Sequence, residues 1–284
     1  FLGVSSQTAI SFVPEPSIPP SIYATFEEVR KRVPPGSALL TWWDFGYALS
    51  DATDLATFHD GGHQFTPKTY FIARSLISPD PVELSQITRF IATEGNRGIN
   101  ENNTSPEALL DAVRNPKSLP WDPVYLFFTA DMVGKYPSFS KIGSWNLGEG
   151  GSSPKDYERL ACQSIEVERI NCQNMVIDLK LGLINQRHPL KRVVQIIKGQ
   201  VAGVKRYPHT RGYTLQFIMA NPSQFAQVQL LEEEVFLSNF NQMFMLGNYD
   251  RNLFEETMNA FPLSRLYRFK FSPEPKKDEA SSLR

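Results

Sequence analysis

The chain has 284 residues, 41% of them hydrophobic, with 29 basic against 30 acidic side chains and a formal net charge of −1. That composition is globular and sufficient for one large or two modest domains; its near-neutral balance supplies no field to gather a phosphate backbone, which argues against nucleic acid as a partner. No run reaches the roughly 18 uninterrupted apolar residues needed to cross a bilayer, residues 1–10 lack the basic start of a secretory signal, and a beginning at Phe1 reads as a processed chain or a piece cut from something larger.

The proline-rich opener, Val13 to Ser21, restricts its own backbone. The segment SIYATFEEVRKRV then predicts a helix, with Ser21 as its cap and Pro34-Pro35-Gly36 as its stop. SALLTWW predicts a short buried strand that Asp44 and Gly46 bring to an end. A helix from about Val82 to Glu94 is followed by the polar stretch GNRGINENNTSPE, expected as a loop, and Pro106 to Val113 predicts another helix. DPVYLFFTADM is the second strong strand, apolar on both faces, as expected where helices cover both sides of a parallel sheet. If the two strands are parallel neighbours, Trp42, Trp43 and Asp44 fall at the same carboxyl edge as Asp131, Met132 and Lys135, where open α/β folds hold their ligands.

Beyond NLGEGGSSPKDYERLACQ the period shifts. SIEVERIN, NMVIDLKLGLI, LKRVVQIIKGQVAGVKRY, GYTLQFIMA and AQVQLLE alternate between polar or glycine-containing turns, predicting successive strands. VFLSNFNQMFMLGNYDRNLFEETMN returns to helical spacing with a break at Gly247-Asn248, SRLYRFKF alternates as a last strand, and SPEPKKDEASSLR reads as a polar tail. The expected architecture is an α/β core with a mixed, partly parallel sheet over residues 1–160, a β-rich, largely antiparallel and barrel-like insertion over 161–232, and a C-terminal helix and strand return over 233–284 that completes the core.

Two of the four tryptophans stand side by side against a carboxylate. Core packing is the bland account of Trp42 and Trp43, but adjacent strand residues point to opposite faces, so the pair cannot share one core direction unless the strand has ended. Their indole N–H groups beside Asp44 would offer donors and an acceptor to a small hydroxyl-bearing ligand; the competing role for Asp44 is a helix cap. His59, Asp60 and His63 in HDGGH are all ligand types, yet the two glycines disfavour the helix that would align them, and a tight turn with Asp60 bonding backbone amides is preferred to a metal site. Lys135 is spaced to pair with Asp131 along a helical turn, and Met132 to supply an adaptable apolar wall. Cys162 and Cys172 fit neither a clustered zinc site nor a C-x-x-C motif, leaving one disulfide or two small buried hydrophobes. No Ser/His/Asp order, P-loop or G-x-G-x-x-G occurs. The overlapping glycosylation acceptors Asn102-Asn103-Thr104 and Asn103-Thr104-Ser105 decide nothing about function.

WWDFG followed by HDGG resembles the W-W-D-Y-G and Asp-Gly-Gly pattern of the oligosaccharyltransferase catalytic subunit, in the C-terminal domain of its bacterial single-subunit form, and FNQMFMLGNYDRNLFEETMN is similar to the bacterial ending. The resemblance runs from about Ser37 to Phe271 and is weakest in the strand-rich middle. It implies that Trp42, Trp43 and Asp44 recognise the Ser or Thr two residues beyond an acceptor Asn. Phe45 replaces the family's tyrosine and removes a phenolic hydroxyl. A second family motif, Met-x-x-Ile or Asp-x-x-Lys, is met here as a hybrid by Met132 and Lys135, with Met132 against the Thr methyl; Asp131 stands one position too early for the acidic place.

The same resemblance implies an acceptor-recognition domain of an enzyme that moves a lipid-linked oligosaccharide onto Asn in N-x-S/T, sited in the periplasm or otherwise outside the cytoplasm. Its catalytic residues and its Mn2+ or Mg2+ would belong to a transmembrane portion that the chain lacks, with no metal or cofactor in this fragment and no transfer by it alone. Such a portion would add roughly a dozen upstream helices of about 20 apolar residues each. The partners implied are an acceptor peptide or protein and that membrane portion with its lipid-linked sugar. The alternative reading is a non-enzymatic periplasmic module binding peptide or sugar. In the oxidising compartment so implied, a Cys162–Cys172 disulfide is slightly favoured over two thiols.

Overall fold

The computed structural model describes residues 16–102, 104–166, 168–221 and 224–271. The opener up to Glu15, Asn103 of the two acceptor triplets and the polar tail from Ser272 lie outside the described residues.

The elements form two sheets joined by helices. The N-terminal part runs α1 (Pro20–Arg32), β1 (Ala38–Leu40), α2 (Gly46–Thr53), β2 (Ala56–Thr57), α3 (Lys68–Ile77), α4 (Pro81–Thr93), α5 (Gly95–Glu101), α6 (Pro106–Arg114), β3 (Val124–Thr129) and α7 (Met132–Gly143). α4 and α6 each begin at a proline, with Asp80 and Ser105 accepting from the N–H of Val82 and Ala108, so their starts are fixed by local chemistry legible in the sequence. Three expectations shift here. Ser21 lies inside α1, whose cap position is Pro19 and carries no side-chain cap. GNRGINE forms the short helix α5 in place of a loop; a Cβ on Gly98 would collide with Glu94 one turn back, and Ile99 is buried in the main core, so tertiary packing of Ile99 overrides the polar composition. The strand drawn through SALLTWW ends at Leu40, before either tryptophan.

β3 is parallel to β1, β1 to β2, while β14 (Ser264–Phe269) pairs antiparallel with β3 and with β13 (Phe254–Ala260). The order is β13-β14-β3-β1-β2. Every residue of β3 is buried: Val124, Leu126 and Phe128 face one apolar cluster, Tyr125 and Phe127 another that includes Phe26 and Val29 of α1 and Leu49 of α2. Helices on both faces therefore account for a strand with no polar alternation.

The second sheet is built from β4 (Glu158–Leu160), β5 (Cys162–Ile165), β6 (Arg169–Cys172), β7 (Met175–Asp178), β8 (Leu183–Ile184), β9 (His188–Ile197), β10 (Gln200–Arg206), β11 (Tyr213–Asn221) and β12 (Gln224–Leu231), in the order β4-β12-β11-β9-β8-β7-β6-β5 with β10 paired to β9. It is antiparallel except between β11 (Tyr213–Asn221) and β9. β4 (Glu158–Leu160) and β5 (Cys162–Ile165) stand at the two ends of this order yet are consecutive across Ala161, so the sheet curls until its edges meet along the chain. No described strand pair joins those edges by hydrogen bonds, so the barrel-like expectation holds for the curl and not for closure. The curl encloses Ile170, Ile177, Leu190, Leu215, Phe217 and Leu230; the other face gives Val194, Ile196, Ile218 and Leu231 to the main core. Cys162 and Cys172 are disulfide-bonded across β5 and β6 (Arg169–Cys172), resolving the open choice.

The C-terminal return differs from its expected helical spacing. A short α8 (Glu233–Leu237) and a π-helical turn over Asn241–Met245 are followed after Gly247 by strand β13, so NLFEETMN is largely strand. The asparagines of SNFNQ explain the irregular turn. Asn239 donates to the carbonyls of Ser75 and Asp80, while Asn241 accepts from Tyr157 and Gln216, tying the segment to three other parts of the chain. Arg265 of β14 is fully buried and donates to Glu256 of β13 and to the carbonyl of Gly199 in the β9–β10 turn, thereby stapling one sheet to the other. Gly199 and Gly247 leave room for it: a Cβ at either would strike the guanidinium.

Candidate functional site

Because β1 ends at Leu40, the chain turns before the tryptophans and then winds Trp43–Phe45 into one 3-10 turn. The two rings accordingly have different fates. Trp42 is 2% exposed and sits edge-on to Phe139 at 5.4 Å and to His59 at 5.1 Å. Trp43 is half-buried against the same core. Asp44 caps neither the 3-10 turn nor α2 with its side chain, so the helix-cap role falls away.

On the neighbouring strand, β3 delivers Asp131 and then α7, whose first residue, Met132, is buried in the core that holds Trp42. Lys135, one turn further on, places its Nζ 2.6 Å from Asp44 Oδ1. The two turns predicted to share a sheet edge are therefore in contact. Lys135 takes Asp44 as partner in place of the expected Asp131, because the parallel β1–β3 pairing brings a carboxylate from the next strand within the lysine's reach. The lysine side chain is 43% exposed and that of Asp44 15% exposed. Asp44 Oδ2 and Asp131 Oδ1 are both buried with no hydrogen-bond partner. Burial, and then the charge of Asp44, push the Asp131 carboxyl up; hydrogen bonding from Thr129 and the charge of Lys135 oppose them without prevailing.

The HDGG stretch lies directly under this turn. A Cβ on Gly46 would fall 2.4 Å from the His59 carbonyl oxygen and 2.6 Å from Asp60 Cα, so only glycine lets the two backbones approach. Reciprocally, a Cβ on Gly62 would meet the Tyr47 hydroxyl at 2.5 Å. The glycines of WWDFG and HDGG are thus two sides of one packing contact. Asp60 Oδ1 accepts from the N–H groups of Gly62 and His63 and lies 2.8 Å from His63 Nδ1, the tight turn expected from the sequence. His59 is fully buried with Nε2 2.9 Å from the Thr69 hydroxyl, and burial pushes its pKa down to about 4. Among the described residues no group of three or more His, Cys, Asp or Glu side chains is placed to hold a metal ion.

Support for α7 comes from the C-terminal return. Phe240 packs on Tyr136 and Phe139 of α7 and on Phe128 of β3, and Phe139 in turn packs on Trp42. This aromatic chain connects the two sequence patterns of the resemblance, which lie about two hundred residues apart. Sequence reasoning missed the orphaned oxygen of Asp131; its only signal was a carboxylate at the end of a strand apolar on both faces. A cavity of about 470 Å³ lined by Arg74, Glu83, Tyr136, Ser140, Lys155 and Glu233 opens further along α7, away from Trp42, Trp43 and Asp44.

A mixed α/β fold that brings a W-W-D turn and a Met-x-x-Lys turn to one sheet edge is the arrangement expected of an oligosaccharyltransferase C-terminal domain. Residues 35–149 match the STT3/PglB/AglB core domain. The undecaprenyl-diphosphooligosaccharide–protein glycotransferases of two Campylobacter jejuni strains are 23% and 22% identical over 259 residues, covering 78% of this chain and 35% of each relative. A dolichyl-phosphooligosaccharide-protein glycotransferase of Methanococcus voltae is 26% identical over 99 residues, 34% of this chain and 11% of that protein. The crystal structure of the C. jejuni PglB C-terminal domain superposes with a TM-score of 0.67 at 17% identity, covering 88% of this chain and all of that one. The chain is a domain homologous to the C-terminal domain of the bacterial oligosaccharyltransferase PglB/STT3, and its match spans about a third of the length of the curated bacterial relatives. Among the described residues no helix is long and apolar enough to cross a membrane.

Proposed function

We propose that the chain is the extracytoplasmic domain that recognises the acceptor sequon N-x-S/T for an oligosaccharyltransferase, with glycosyl transfer itself performed by a membrane portion of the same polypeptide. One observation carries this reading: the contact between Asp44 and Lys135 fastens the W-W-D turn to the Met132 turn and leaves a buried carboxylate oxygen, Asp44 Oδ2, without a partner. A buried acceptor of that kind is completed by one donor, and a Ser or Thr hydroxyl supplies it; a peptide lacking the hydroxyl would leave the oxygen unpaired and be rejected. Trp42 and Trp43 wall the turn, Met132 offers apolar contact to a Thr methyl, and Lys135 neutralises the Asp44 carboxylate while no acceptor is bound. The disulfide supports an oxidising compartment. The reacting carboxylates, the divalent metal and the lipid-linked sugar belong in this reading to the membrane portion, and the 284-residue chain transfers nothing alone.

The test is peptide glycosylation by the full-length enzyme. Asp44→Asn is expected to lower kcat/KM for an N-x-T peptide by roughly ten- to a hundredfold, the loss of a hydrogen bond to a charged group. Met132→Ala should penalise N-x-T more than N-x-S by about fivefold, one methyl contact. Equal penalties on both acceptors would indicate a folding defect, and unchanged kinetics for Asp44→Asn would remove Asp44 from recognition.

A further inference from the structure

At the carboxyl ends of β1 and β3 the ammonium of Lys135 is paired with one carboxylate, Asp44, while a second, Asp131, stands four residues before it on the same helix start. Lys135 Nζ rests on Asp44 Oδ1, while Asp44 Oδ2 and Asp131 Oδ1 are both buried and unpartnered. Lys135 is also four residues beyond Asp131 at the start of α7, the spacing at which helical side chains face each other, and its N–H donates to the Asp131 carbonyl at 3.2 Å. Its ammonium sits on a flexible four-carbon stem that is 43% exposed, so it can move between the two carboxylates without repacking the core.

The free domain therefore holds its own cation on the carboxylate that the sequon reading assigns to the acceptor hydroxyl. Resting on that reading, we infer that Asp131 is a positioning residue for acceptor recognition: it receives Lys135 when the acceptor hydroxyl arrives, and so releases Asp44 to accept from that hydroxyl. The exchange conserves charge pairing. Lys135 leaves one carboxylate for another, the oxygen orphaned on Asp131 gains a donor, and Asp44, no longer pinned through Oδ1, is free to turn its buried Oδ2 to the incoming hydroxyl. Without Asp131 the lysine has no second place to go, and the incoming hydroxyl competes with an ammonium for Asp44. The raised Asp131 carboxyl fits a group whose counter-ion is held elsewhere in the free state.

Four variants of the full-length enzyme test the relay, with transfer rates measured against the concentration of an N-x-T peptide and thermal unfolding followed on each preparation. Asp131→Asn should raise KM about tenfold, the value of one hydrogen bond to a charged group, while kcat at saturating peptide stays within about twofold, the signature of weakened binding. Asp131→Ser should do the same and covers poor folding of the first variant. Adding Lys135→Met to Asp131→Asn removes the competing ammonium and should return KM to within about threefold of the unmodified enzyme, a recovery that a merely structural lesion would not show. The relay is overturned if Asp131→Asn and Asp131→Ser leave KM unchanged, or if the added Lys135→Met brings no recovery, while Asp44→Asn in the same assay still impairs transfer. If Asp44→Asn is silent as well, the recognition reading itself has failed.

Discussion

Arg265 and Lys135 are both cations paired with a carboxylate from a neighbouring element, but their surroundings differ. Arg265 is 0% exposed and bridges Glu256, the Gly199 carbonyl and the Phe261 ring, which lies 5.4 Å away. Lys135 is 43% exposed, binds one oxygen of Asp44 and stands beside two buried oxygens that nothing satisfies. The first arrangement directs both terminal nitrogens of the guanidinium, though not Nε, to acceptors within the protein and fastens one sheet to the other. The second leaves acceptors open at a sheet edge, which is costly for folding and useful for a ligand. Unpaired carboxylate oxygens beside a half-exposed cation separate the cluster proposed for recognition from the structural one; an unpaired buried atom alone does not, since Arg265 Nε is one too.

That contrast is most directly broken at Arg265. Arg265→Met leaves Glu256 and the Gly199 carbonyl facing an apolar side chain, and removal of one partner from a buried pair should lower unfolding free energy by about 3–5 kcal/mol; chemical denaturation measures it. A loss under about 1 kcal/mol would make the joint dispensable.

A second, smaller effect comes from His59 beneath the W-W-D turn. Its pKa is lowered from 6.5 to about 4, so the unfolded chain binds more protons between those values and stability falls as pH drops through that window. The contribution is roughly 3 kcal/mol, present in full above the unfolded value and gone below about pH 4. Unfolding followed from pH 7 to 4 should show the loss in the unmodified chain and a flatter profile in His59→Gln.

The smallest expected effect sharpens the comparison from the other side. Because Asp131 has a raised carboxyl, its ionisation opposes folding: the folded state holds the proton more tightly, and stability declines as pH rises past the ordinary carboxylate value. Asp131→Asn should therefore leave neutral-pH stability equal or higher, with any gain vanishing in acid. A loss of stability in this variant would move Asp131 into the structural class with Arg265.

The sequence by itself determined the local pieces. Doubly apolar β3 announced a strand covered on both sides, prolines and caps marked α4 and α6, and Asp60 with its glycines marked a turn; each of these depends on neighbours along the chain. Tertiary structure decided the rest. It ended β1 at Leu40, which sent Trp42 inward and left Trp43 half-buried, and it gave Lys135 to Asp44 across two parallel strands rather than to Asp131 along one helix. It also turned GNRGINE into a helix and NLFEETMN largely into a strand, because burial of Ile99 in the main core and pairing with β14 outweighed composition and period. Even the succession of WWDFG and HDGG acquires a cause only in three dimensions: Gly46 and the His59–Asp60 backbone touch where any side chain would intrude. Periodicity and capping act over a few residues, whereas close approach, ion pairing and the end of a strand are settled by whichever distant segment occupies the neighbouring space.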